Sequence, residues 1–143
     1  MAAVNRHNIN VGIITALTNA AAVTALIGNP PRVYTRTPRH VTYPWLRVDS
    51  IPNRPKFVVI SGSGPLWIRT ANTQFSAFSL KTSASEVAAI QAAVADVMDA
   101  AVSTVTFTGG VVVMSLLVVE SMPYEVETGW DAVSEYELTV QPS

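Results

Sequence analysis

Ser83-Ala84-Ser85-Glu86 opens the segment that most limits what this chain can become. It matches the S-x-x-E capping box, in which two side chains satisfy two free amides at a helix start. Val87, Ile90, Val94, Val97 and Ala101 then recur at helical spacing, with Asp96 and Asp99 off that stripe. The pattern predicts a helix from about Ser83 to Ala101, apolar on one side only. Such a helix must lay its stripe on something else. Both flanks of the segment read as strands, so that partner is a sheet.

After the helix, Thr104–Phe107, Val111–Glu120 and Trp130–Val140 carry strand signals, with Gly109-Gly110 as a hairpin turn between the first two. The last strand alternates. Trp130, Ala132, Ser134, Tyr136, Leu138 and Val140 form one face; Asp131, Val133, Glu135, Glu137 and Thr139 form a largely acidic other. VVVMSLLVV (111–119) is too short to span a membrane and rich in β-branched residues, which predicts a buried strand.

Before the helix, two apolar clusters lie on different faces of the stretch from Asn10 to Ile27. Ile13, Ile14 and Leu17 form one; Val23, Leu26 and Ile27 form the other. This predicts two helices broken near Asn19, with Thr18 or Asn19 capping the second and Gly28-Asn29-Pro30-Pro31 ending it. A short strand at 32–36, a loop fenced by Pro38 and Pro44, and a strand at Trp45–Asp49 follow. Then come a proline-bearing loop at 50–56, a strand at 56–60, a turn at 61–65 and a strand at 73–82. The expected architecture is α+β: one domain over 1–143, a mostly antiparallel sheet with helices packed on one face.

Only 13% of the 143 residues are charged, against about 25% in ordinary soluble domains, while 49% are hydrophobic. A chain this short of charge has surface for partners to cover, which predicts an assembly subunit. Charge is also split. Residues 1–81 hold nine Lys/Arg and one acid, Asp49, for a net +8; residues 82–143 hold nine acids and no base, for −9. Opposite blocks on one chain can pair within the fold, or head-to-tail between identical copies. The candidate subunit-interface residues are Arg32, Arg36, Arg39 and Arg47 on one side, and Glu120, Asp131, Glu135 and Glu137 on the other.

Catalytic chemistry finds little to use. With no cysteine, thiol nucleophiles, disulfides and thiolate metal sites are excluded, and a cytoplasmic site of folding is the simpler expectation. Gly62-Ser63-Gly64 lacks the spacing of a nucleophile elbow. His7 and His40 read as ordinary surface histidines, and two isolated histidines make no zinc site. The acids Asp131, Glu135 and Glu137 read as a solvated strand face. No phosphate-binding or dinucleotide motif is present. The expectation is no enzyme, no cofactor and no metal. MAAVNRHNIN has no apolar run after a charged stretch, so no secretory signal is expected. Between Arg6 and Arg32 no charge occurs, but asparagines and threonines interrupt the apolar residues, so no membrane segment is expected either. Arg32, Arg36, Arg39, Arg47, Arg54 and Lys56 with Tyr34 and Trp45 leave one alternative open, a small nucleic-acid-binding module. The isoelectric point of about 6.1 weighs against it.

Arg32-Val33-Tyr34, Tyr43-Pro44-Trp45 and the tyrosine-containing WDAVSEYELTV (130–140), taken in this order of elements, resemble the tail-completion, or tail terminator, family of long-tailed bacteriophages and related particles. The resemblance covers almost the whole chain; residues 50–72 depart from it. It implies a structural virion protein that forms a homo-oligomeric ring, a hexamer, on the head-proximal end of the tail tube. The implied partners are the major tail tube protein and the head connector, or head-completion protein, at the head–tail junction. DNA would pass through the lumen without specific binding. A head-completion or adaptor protein on the capsid side of that junction is the second structural reading.

Overall fold

A computed structural model describes residues 5–61, 64–81 and 83–142, with residues 52–61 and 64–67 described by their backbone. Two helices open the chain, α1 (Arg6–Thr18) and α2 (Ala21–Ile27), and they meet at 88°. The break falls where two apolar faces predict it. Ile9, Ile13 and Leu17 of α1 and Val23 and Ile27 of α2 reach the same core only if the chain turns between them. Asn19 closes α1 rather than opening α2, whose N-cap is Ala20 with no side-chain bond. Asn5 caps α1, accepting from the Asn8 amide at 2.9 Å. Gly28 ends α2 at φ +92°, a backbone region that favours glycine. No single helix among the described residues is long and apolar enough to cross a membrane.

The strands are β1 (Val33–Tyr34), β2 (Trp45–Ser61), β3 (Gly64–Ser79), β4 (Thr106–Phe107), β5 (Gly110–Glu120), β6 (Tyr124–Val126) and β7 (Gly129–Pro142). They form one sheet in the order β1-β2-β3-β7-β5-β4, with β6 added to β7 beyond the end of β5. Among the described residues, only β1 with β2 is parallel. The fold is therefore α+β with a mostly antiparallel sheet. Leu46, Val48 and Ser50 of β2 register with Ala77, Phe75 and Thr73 of β3, and these with Ala132, Ser134 and Tyr136 of β7. All nine are buried on one face. Phe75 and Tyr136 meet edge-to-face at 5.9 Å, and the Ser50 and Thr73 hydroxyls share a bond at 2.9 Å.

That face is closed by α1, α2 and α3 (Ser85–Asp99), which is followed by the single turn α4 (Ala101–Thr104). The predicted stripe Val87, Ile90, Val94, Val97 and Ala101 is buried, and Asp96 and Asp99 are exposed. The expected capping box does not form. Ala84 is the N-cap, and Ser83 bonds the Ser85 hydroxyl. Glu86 instead accepts from the Ser79 hydroxyl at 2.6 Å and pairs with Lys81 at 3.3 Å. The carboxylate still lies in the first turn of α3, where the helix dipole favours it, but it is drawn to the end of β3.

Two further expectations change. Residues 50–56, expected as a loop, are strand, and β2 and β3 form a long hairpin. The Leu46 amide points outward to the Arg32 carbonyl at 2.9 Å, so with period two the nitrogen of Pro52 also faces the free edge, where no ladder donor is required. Register shifts flank Pro55. The expected turn residues Gly62 and Ser63 and the expected strand end Thr82 lie outside the described residues. The second change is β5. Its apolar run is an edge strand and largely exposed, not buried. Register shifts at Val112/Met114 and Leu117/Val119 break its alternation, and β4 covers only Gly110 and Val111 of its outer edge.

Candidate assembly surfaces

The two ends of the strand order carry opposite chemistry. At the β1–β2 end, Arg36, Arg39 and Arg47 are exposed, with no ion-pair partner among the described residues. Arg32 is half-buried. Its Nε donates to the Pro44 carbonyl at 2.8 Å and its amide to the Ile27 carbonyl at 2.8 Å, so it fastens the 35–44 loop to the end of α2. Between that loop and α1 lies a groove of about 680 Å³, lined by Ile14, Val33, Tyr34, Thr37, Arg36 and Arg39 among others. Asp49, on the same strand as Arg47, is already paired with Arg6, whose Nε donates to it at 2.7 Å. The free charge at this edge is thus positive.

At the opposite end, Glu120, Glu125 and Glu127 are exposed around β5 and β6. Beside them stand exposed apolar side chains: Val113, Met114, Leu116, Leu117, Val118 and Val119 on β5. Met122, in the link to β6, is 85% exposed. That link is fixed. The Ser121 amide donates to the Val133 carbonyl at 2.8 Å, the Val133 amide to the Ser121 hydroxyl at 2.9 Å, and Gln91 Nε2 of α3 to the carbonyls of Ser121 and Val133 at 3.1 Å each. Met122 is held out on a braced turn.

The candidate residues Asp131, Glu135 and Glu137 lie half-buried on the helix-free face of β7. Glu135 accepts from Asn72 Nδ2 at 2.9 Å. Burial raises the Asp131 carboxyl above the usual aspartate range; burial and then Asp131 raise the facing Tyr124 phenol. Across the same face, Arg47 and Asp49 register with Ser76 and Gln74, and these with Val133 and Glu135. The helix-free face is therefore polar and of mixed sign. The structure gathers the four arginines at one sheet edge and Glu120 at the other, with the β7 acids between them.

Trp45 is buried, stacked on Phe78 at 4.3 Å with Tyr34 at 5.9 Å, so it anchors the packing and presents no ring to a nucleic-acid base. The side chains of Arg54 and Lys56 lie outside the described residues. His7 and His40 are exposed, and no cluster of three or more His, Asp or Glu able to hold a metal occurs among the described residues.

A model of the tail completion protein gp17 family matches residues 11–140. The chain belongs to that family. As a tail completion protein it is a structural component of the virion tail. Six chains of solved structures match in fold. One, from a structure described as the virion of a native gene transfer agent particle, aligns over 94% of this chain and 96% of its own with a TM-score of 0.66 at 15% identity. No curated protein sequence matches. The residues that sequence reasoning overlooked in this tail completion protein are Met122, Tyr124 and Glu125, with the exposed side chains of β5. The available signal was the lack of any period in VVVMSLLVV: a run with no polar side has no face assigned to solvent.

Proposed function

We propose that this tail completion protein acts as a tail terminator: it forms a closed ring on the head-proximal end of the tail tube, stops tube growth and presents a docking face to the head connector. The observation that carries the reading is the segregation of surfaces to the two edges of one sheet. A positive, grooved edge and an apolar, acidic edge are different surfaces on opposite sides of a subunit. They cannot both be satisfied by a two-fold dimer that buries one patch against itself. A head-to-tail contact repeated by rotation satisfies both in every copy and closes. The charge-poor composition agrees, because the uncovered side chains of β5 then lie between subunits.

Termination in this reading is geometric. The ring binds the last tube ring through one end and lacks on its other end what the next tube ring requires. The candidate residues divide their work. Arg36, Arg39 and Arg47 meet Glu120 of the neighbour, while Asp131, Glu135 and Glu137 on the helix-free face are placed to line a lumen through which DNA slides without being held. The test is electron microscopy of lysates from the parent virus with this gene deleted. Overlong, headless tails are expected. Tails of normal length beside filled heads would move the protein to the joining step, on the capsid side of the junction, and intact infectious particles would contradict both.

A further inference from the structure

The register of the sheet carries the interface further than charge alone. Val33 pairs with Leu46, Leu46 with Ala77, and Ala77 with Ala132. On β7, Ala132 sits between Val133, which is bonded to Ser121, and Asp131, which pairs with Tyr124. Met122 and Pro123 therefore end the same row of the sheet that begins at Val33. One end of that row is the groove lined by Val33, Tyr34, Thr37 and Arg39; the other is the 85% exposed Met122.

We infer that Met122, with Tyr124 beside it, seats in the 33–39 groove of the next copy of this chain. The occupant is a second copy because groove and knob are matched in three ways. They lie level on opposite edges of one sheet, so rotation about an axis along the strands brings them together without a shift. Exposed Arg36 and Arg39 rim the groove, and exposed Glu120 and Glu125 flank the knob. Both are held in shape before contact: the groove loop by Arg32 on Pro44, the knob by Ser121 and Gln91. An unbranched thioether suits a groove of mixed lining, since it adapts to irregular apolar walls. This inference rests on the ring reading and names its contact.

The chain has no cysteine, which permits a clean test. Met122→Cys and Thr37→Cys are introduced together, and particles are purified from cells in which this variant replaces the natural chain. Within one copy the two positions are four strand spacings apart along the sheet, roughly 19 Å, beyond the roughly 4.4–6.8 Å between Cα atoms that a disulfide allows. Mild oxidation is expected to shift most of the chain from monomer into a ladder of covalent multimers on a non-reducing gel. Met122→Cys or Thr37→Cys alone is expected to give monomer, because a head-to-tail contact never brings a position against itself. Particles that contain the double variant but yield only monomer would overturn the knob-in-groove contact and leave the ring reading standing. A covalent dimer from either single variant would overturn the head-to-tail geometry itself.

Discussion

Strands β5 and β7 lie side by side, and their sequences invite the opposite of what the fold does with them. VVVMSLLVV is the most apolar run in the chain, and most of it is exposed; WDAVSEYELTV is half polar and supplies Tyr136, Leu138 and Val140 to the centre of the core. What decides burial is period and place in the strand order, not apolar content. β7 is paired on both sides over most of its length and shows one face to α3. β5 has a free outer edge beyond Val111 and two register shifts that turn its side chains both ways. An edge strand of this kind invites pairing with another chain unless something covers it. The contrast separates residues that hold the subunit together from residues reserved for its neighbour.

The largest effect should come from Leu138→Ala, which empties a fully buried site on β7. A loss of about 2–5 kcal/mol is expected from thermal or denaturant unfolding; a loss of only a few tenths would erase the distinction between the strands. A smaller effect, visible only at high pH, should follow from Tyr136. Burial, then Asp99, Glu120 and Asp96, push its phenol up to about 12. Between pH 10 and 12 the unfolded chain loses this proton while the folded chain keeps it, so stability falls with rising pH across that window. Tyr136→Phe should flatten that fall in unfolding curves recorded from pH 9 to 12, and an unchanged slope would mean another group governs it. The smallest effect on the subunit belongs to Leu116→Ser with Leu117→Ser on β5. Their monomer should unfold within about 0.5 kcal/mol of the natural chain, while ring assembly, read by analytical ultracentrifugation, should fail. A large stability loss here would mean that β5 serves the core after all.

Where the chain obeyed a period, its structure was legible. The α3 stripe, the break between the first helices and the two faces of β7 follow from spacing, and the Gly28 stop from helix-end chemistry. Prediction failed where tertiary position overrode local chemistry. Pro52 and Pro55 read as loop because a proline removes a donor, but an edge strand does not need that donor. Glu86 read as a capping-box partner until Ser79 came within reach. The charge split between the two halves of the chain was visible at once; its meaning depended on strand order, which carried the arginines and Glu120 to opposite edges. Met122 had no signal of its own, because its exposure comes from a turn braced by Gln91, thirty-one positions earlier in the chain.

The most direct test of the central claim, that the two sheet edges meet between copies, is a charge exchange read by native mass spectrometry. One variant carries Arg36→Glu and Arg39→Glu; the other carries Glu120→Lys and Glu125→Lys. Each alone opposes like charges at every contact and should remain monomeric, most firmly at low salt. Mixed in equal amounts, they should form closed rings with equal numbers of the two chains, because each reversed edge then meets its opposite. A mixture that stays monomeric, or either variant forming rings alone, would contradict the account.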